Sequence, residues 1–333
     1  MNSCLRLFFF LFCSVGAAAA ETEITPFNSF NQSPLIQIYG VPHDTSAEIV
    51  PTGKFRISLN QDLSSNYTSS STTREQITLD GETYRLSLVA RYGIAPGWEA
   101  GVEVPYISQG GGFLDSFIID WHSTFGLPQG GRDITPKNLI NYSYRKYGVQ
   151  KLLVDHSGSG ISDISLTGGA SLYDAHDKDS HNSLALKGAI KLPTGDSSYL
   201  GGSGGTDAML QLCGGSTNYS NWGSLGVYGS AGALVMSKGD VLRDQHKTLA
   251  GFGTFGLGWG PASWISFKVQ LNANTPMYRD SSLDELAKNS LLLVLGGDLR
   301  FPGDYLLDIG VAEDVVVGSA PDVSFHLGLS KMF

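Results

Sequence analysis

Asp322-Val-Ser-Phe-His-Leu-Gly-Leu-Ser-Lys-Met-Phe333 alternates along its length. Val323, Phe325, Leu327, Leu329 and Phe333 fall on one parity, and Ser324, His326, Gly328 and Ser330 on the other. A period of two is a β-strand with one apolar and one polar face. Taken alone, the stretch suits two settings equally: the closing strand of a membrane barrel or an edge strand of a soluble sandwich.

The same alternation recurs upstream. Phe55, Ile57, Leu59 and Leu63 oppose Lys54, Arg56, Ser58, Asn60 and Asp62. Tyr84, Leu86, Leu88, Ala90, Tyr92 and Ile94 oppose Arg85, Ser87 and Arg91. After the turn Ala95-Pro96-Gly97, the run Trp98, Ala100, Val102, Val104 and Tyr106 opposes Glu99 and Glu103. Further runs occupy 161–173, 183–192, 206–214, 222–235, 248–259, 263–274, 290–301, 304–312 and 322–333. That makes about twelve strands, an even number as single-chain bacterial barrels have.

Connector lengths separate the two settings. Those at 95–97, 174–182, 215–221, 260–262 and 302–303 are short. Those at 64–83, 107–160, 193–205, 236–247, 275–289 and 313–321 are mostly longer. Short periplasmic turns alternating with longer outer loops belong to outer-membrane barrels, and a sandwich has no reason to sort them so. The fold class is therefore all-β, a single antiparallel transmembrane barrel over 53–333. Aromatics near strand ends (Tyr84, Trp98, Trp259, Trp264, Tyr305, Phe333) suit an interfacial girdle.

Composition agrees. Residues 1–20 read as a secretory signal peptide, with Arg6, the apolar run Leu7–Val15 and Ala18-Ala19-Ala20 as the cleavage site. Cys4 and Cys13 leave with it, so Cys213 has no partner for a disulfide. No later run reaches the roughly 20 apolar residues of a membrane helix. The net charge of −9 gives no footprint for nucleic acid. The 42 glycines scatter through strand runs, as where a sheet bends or backbones approach closely. Residues 21–52, with Pro26, Pro34, Pro42 and Pro51, read as irregular: a periplasmic tail or a segment inserted into the lumen.

The polar parity carries the candidate solute path: Arg56, Arg85, Arg91, Glu99, Glu103, Asp163, Lys187, Lys268, Asp298 and Arg300, with Lys54, Lys191, Asp62 and Asp308 beside them. Structural ion pairs are the alternative role for these charges. In the hairpin at 95–97, placing Tyr92 opposite Trp98 sets Arg91 opposite Glu99 and Ser87 opposite Glu103.

The period becomes helical at 113–125, inside the longest outer connector. Leu114, Phe117, Ile118, Trp121 and Phe125 share a stripe, and Gly126 and Pro128 stop the helix. Phe113, Asp115, Phe117, Trp121, His122, Phe125 and Arg132 are the candidate outer-loop gate or binding residues, in a loop expected to close over the mouth. A structural cap is the other reading of this loop. Asp115, Asp120 and His122 are too few to argue a metal centre, and neither metal nor cofactor is expected. His156-Ser157-Gly158 lacks the His-x-Ser-Asn-Gly run of outer-membrane phospholipases, and Leu192-Pro-Thr-Gly195 reads as a strand end rather than a sorting signal.

Arg91-Tyr-Gly93, Gly111-Gly-Phe-Leu-Asp115, Phe125-Gly-Leu-Pro128, Gly130-Gly-Arg132, Leu192-Pro-Thr-Gly195, Glu313-Asp314 and Ala320-Pro-Asp322 together resemble the bacterial family called domain of unknown function 3187. The resemblance covers the mature chain and implies a Gram-negative outer-membrane β-barrel with no catalytic residues to carry over. The Leu-Pro-Thr-Gly strand end is also similar to barrels of the phenol-degradation outer-membrane group. The terminal Phe333 resembles the end that barrel-assembly machinery reads. Outer-membrane lipid, that machinery and a small-molecule solute are the expected partners. A channel for small, even apolar, molecules is the first functional reading. A structural or assembly-related barrel with a closed lumen is the alternative, and an enzyme comes third.

Overall fold

A computed structural model describes residues 22–126, 131–316 and 318–333, and the side chains at 121, 122 and 125 are outside the described set. The expected signal peptide falls outside it as well. Fifteen strands form one antiparallel sheet among the described residues. They are β1 (Phe55–Ser71), β2 (Glu75–Ala95), β3 (Trp98–Gly110), β4 (Asn141–Lys146), β5 (Val149–Val154), β6 (Gly158–Ile161), β7 (Ser165–His176), β8 (Ser180–Lys191), β9 (Asp207–Ser220), β10 (Gly223–Met236), β11 (Leu249–Ala262), β12 (Ile265–Asn274), β13 (Ser290–Phe301), β14 (Tyr305–Asp314) and β15 (Val323–Met332). Helix α1 spans Leu114–Phe125 and the single turn α2 Asp284–Ala287.

Twelve of the strands close a barrel. The ring runs from β1 through β2 and β3 to β7 and on to β15, which pairs with β1 from Arg56↔Met332 to Ser65↔Val323. Closure leaves no edge with unpaired backbone groups, the condition for standing in lipid. The extra strands belong to the long loop after β3: the β4–β5 hairpin pairs with the far half of β2, and β6 with β3. Alternation sorts the two faces. Leu59, Leu88, Phe267 and Leu327 are 43–50% exposed on the outward face, whereas Lys268 and Asp298 are 2% and 1% exposed inside.

Four expectations are corrected. The supposed outer loop 64–83 is strand, since β1 and β2 run on to a turn at 72–74. The period of two persists there but its polarity inverts: Ile77 and Leu79 are buried on the inward face, while Asp80 and Glu82 take the outward one. Apolar-out alternation ends where lipid would end. Second, β2 and β3 are registered two residues away from the expected pairing. Tyr92 lies opposite Ala100, Arg91 opposite Gly101 and Ser87 opposite Pro105, with an irregularity between Gly93 and Ala95 absorbing the offset. Third, Lys54 precedes β1 and is exposed rather than luminal.

The fourth correction concerns the long loop, whose first half does not close over the mouth. Ser65, Glu82 and Phe325 lie on the same face as Leu59, Leu88 and Leu327. Arg132 donates to Ser65 (2.9 Å), the Leu114 backbone N–H donates to Glu82, and the Phe117 ring meets Phe325 edge-on. Helix α1 thus packs against the outside of the wall. The polar outward positions of β1 and β2 require partners there, and this loop supplies them.

The lumen is filled by residues 22–50. Thr22 bonds Ser224 near the short-turn end, Phe27 bonds Gln270, and Asn31 reaches Ser290 (2.8 Å) near the long-loop end. The chain turns at 33–39 and descends past Asp207, through Gly40 (2.9 Å), to Glu99, through Val50 (2.8 Å). Thr52 then bridges Gly93, and β1 begins. The apex joins an apolar core across the long-loop end: Leu35, Ile38 and Tyr39 pack with Tyr142, Tyr144, Leu234 and Tyr278. A fully buried apolar side chain contributes about 1.5–3 kcal/mol relative to an exposed one, so this core is a substantial seal.

Candidate functional site: the occupied lumen

Inward positions on every barrel strand meet the plug formed by residues 22–50, and three charged clusters result. In the first, Asp44 of the plug sits between two wall cations. Arg91 contacts it and also approaches Glu99 (3.4 Å), while Lys187 lies 2.8 Å from Asp44 and 3.6 Å from Glu99. Beside it, Arg85 pairs with Glu103 (2.9 Å), which faces His43 of the plug at 3.7 Å. Arg56 pairs with Glu48 at 2.9 Å. Arg91 and Glu99 thus meet across the register offset, sharing Asp44 and Lys187 instead of forming an isolated pair.

The second cluster lies deeper along the wall. Lys268 is held by Asp298 (2.6 Å) and Asp308 (3.0 Å), and the Phe27 ring of the plug stands 4.0 Å from its ammonium. His326 lies 2.8 Å from Asp62 and 3.7 Å from Asp308. Arg300 approaches Asp298 (3.8 Å) and donates to the Glu23 carbonyl. In the third cluster, Lys191 joins Asp163 (2.6 Å) to Asp207 (3.1 Å) and donates to the Ile38 carbonyl of the plug (2.9 Å). Buried ions need this degree of pairing, because an unpaired one costs several kcal/mol.

A cavity of about 70 Å3 remains between plug and wall, lined by Tyr39, His43, Asp44, Arg85, Arg91, Lys187 and Gln211 among others. The plug's own titratable groups respond to this setting. Burial pushes the Asp44 carboxyl up, but Arg91 and Lys187 outweigh it and hold it well below the usual carboxylate range. Glu48 is likewise lowered, its burial overcome by Arg56. Burial, reinforced by Arg85, lowers the His43 imidazole.

The ten path candidates from the sequence therefore face inward or toward the plug, in the three clusters. The plug's contributions, His43, Asp44 and Glu48, carry no periodic signal; their roles depend on where an irregular segment threads. The outer-loop candidates divide. Asp115 is buried against Arg132 and accepts from the Asn138 N–H (2.7 Å); Arg132 also pairs with Asp322 (2.7 Å) and stacks over Tyr67. Phe113 and Phe117 are exposed on the outer side of the wall. The side chains of Trp121, His122 and Phe125 are outside the described ones.

A family model described as "Protein of unknown function (DUF3187)" matches residues 6–333. No curated protein matches. Among solved structures, an outer membrane channel from Pseudomonas putida F1 is similar with a TM-score of 0.54 and 12% identity, over 86% of this chain and 98% of that one. The translocator domain of the autotransporter NalP from Neisseria meningitidis scores 0.38 at 13% identity, over 85% and 89%. The Ralstonia pickettii toluene transporter TbuX scores 0.34 at 10% identity, over 85% and 90%. The first of these likenesses establishes a shared outer-membrane barrel fold.

Proposed function

The chain belongs to the DUF3187 family, and on that premise we propose that it is an outer-membrane transport barrel whose N-terminal plug, residues 22–50, must move for small solutes to pass. The short turns face the periplasm and the long loops the exterior. The outward face, with Leu88 and Phe267, meets lipid, and the β15 end is what assembly machinery engages. One observation carries the reading: a separate chain segment occupies the lumen and is held through Asp44 and Glu48 to wall cations, next to a cavity. Such a block is displaceable without unfolding the barrel. Arg85, Arg91, Lys187 and Gln211 share the cavity lining with Tyr39, Val41, Val89 and Met209, so it offers a small solute both polar and apolar contacts.

The apolar core at the long-loop end favours a second reading, a permanently closed structural barrel. A reversible tether separates the two. A Cβ built at Gly40 lies 3.2 Å from the Asp207 Cβ, near disulfide range. In a Cys213→Ala background, Gly40→Cys with Asp207→Cys is expected to be silent in planar bilayers when oxidised and to conduct when reduced. Equal conductance in both states removes the plug as the gate. Silence in both, with the parent Cys213→Ala barrel also silent, supports the closed barrel.

A further inference from the structure

At the short-turn end the β7–β8 hairpin does something a regular ladder does not. Its pairing runs to Ser171↔Ala185 and resumes at Tyr173↔Leu184, leaving Leu172 as an extra residue. Leu172 and Tyr173 are both exposed, at 54% and 56%. Before this bulge, Thr167, Gly169 and Ser171 pair with Ala189, Lys187 and Ala185; after it, Asp174 and His176 take that face. Without the bulge, Asp174 and His176 would point outward. Bulges that re-aim side chains in this way cluster at functional sites.

The re-aimed residues converge on one partner. His176 lies directly opposite His181, and their rings stack with centroids 3.6 Å apart. Asp174 Oδ1 is 2.9 Å from His181 Nε2 and 3.6 Å from His176 Nε2. One ligand atom from each of Asp174, His176 and His181 fits within 4.8 Å of the others. The other ring nitrogen of His181, Nδ1, is 2.6 Å from Glu23 Oε2. With Glu23 holding the proton on Nδ1, Nε2 becomes a ligand once an incoming ion displaces the proton it shares with Asp174, and a carboxylate on the far nitrogen is the arrangement that orients metal-bound histidines.

We propose that Asp174, His176 and His181 form a binding site for a divalent transition ion of the zinc class, with Glu23 positioning His181. Two imidazoles and one carboxylate suit zinc, with water in the fourth position; magnesium prefers an all-oxygen shell. Zinc–ligand bonds of about 2.0–2.2 Å require the three groups to draw together, and His176, 67% exposed, is free to tilt. The inference does not depend on the transport reading. Because Glu23 begins the plug, the ion would sit beside the plug's first residues.

The test is Zn2+ titration by calorimetry of the full barrel, folded in detergent without a polyhistidine tag, at neutral pH. One Zn2+ per chain is expected, and no uptake of Mg2+. His176→Ala and Asp174→Asn, both at exposed side chains, are expected to weaken binding about tenfold or more while keeping the heat-modifiable migration of a folded barrel. Glu23→Gln weakens it about 10–100-fold, and His156→Ala, an exposed histidine elsewhere, leaves it unchanged. Co2+ in place of Zn2+ should give visible absorption bands that His176→Ala abolishes. Absence of one-to-one Zn2+ binding in the wild type, or undiminished binding by the folded His176→Ala barrel, overturns the proposal.

Discussion

Gly226 and Gly258 show how single residues make room for the plug. A Cβ at Gly226 would stand 2.4 Å from the Ile24 Cβ, and the next two nearest atoms are also in Ile24. A Cβ at Gly258 would stand 2.4 Å from Ile24 Cγ2. The two glycines form the notch in which Ile24 lies, so close approach rather than turn conformation explains them. Gly226→Ala is therefore expected to displace the first part of the plug while leaving the wall paired, at an overpacking cost of about 1–3 kcal/mol. Faster proteolysis near Ile24, with unchanged heat-modifiable migration, checks it. Unchanged cleavage would place Ile24 elsewhere.

At the scale of elements, β12 illustrates why alternation is so readable. Ile265, Phe267, Val269 and Leu271 face out, and Ser266, Lys268, Gln270 and Asn272 face in, all four of the latter buried. An arginine on the lipid side costs about 2–4 kcal/mol at mid-membrane and less toward the interface, so Phe267→Arg, opposite Trp259, is expected to reduce the yield of folded barrel in lipid vesicles by part of that cost. Lys268→Gln fails differently: it inserts, but leaves Asp298 and Asp308 without the ammonium between them and with only the longer contacts to Arg300 and His326, at about 3–5 kcal/mol. Urea titration of the folded fraction separates the two defects, and a normal folded yield for Phe267→Arg would argue against the assigned face. Helix α1 is legible for the same reason of period, yet its place on the outer wall is not. That placement follows from Asp80, Glu82 and Ser65 standing on an outward face that must find polar partners.

At the scale of the whole molecule, docking of the plug is expected to depend on protonation. With the plug docked, Asp44 and Glu48 lie below the ordinary carboxylate range and His43 below the ordinary imidazole range. A released plug takes up protons more readily at these three, so acid weakens their hold, whereas Glu23, pushed up by burial, opposes this just above the ordinary carboxylate range. The His43 contribution to docking is present at neutral pH and fades as pH falls below the ordinary imidazole value of about 6.5. The carboxylate contribution persists to lower pH and is lost as pH falls from about 4 through the lower docked values. Conductance or protease access to residues 22–50 is expected to rise in these two stages on acidification. A flat response from neutral pH to about pH 3 would mean that these groups do not hold the plug.

The barrel was legible in one dimension because its signals are local. Period-two alternation, an even strand count and sorted connector lengths follow from lipid outside, polar lumen inside and short turns at one end. Strand ends were blurred where polarity inverts, as at Ile77 and Leu79, because the apolar partner there is the plug and not lipid. Tertiary structure alone decided the rest. Asn31 and Ser290 meet across 259 residues of sequence, and no local pattern in residues 22–50 records such a partner. The β2–β3 register turned on an irregularity next to Gly93, and the convergence of Asp174 and His176 on His181 turned on one extra residue at Leu172. A side chain's face is a local property only while the ladder is regular; a single bulge reverses it, and only the paired strand reveals that it has.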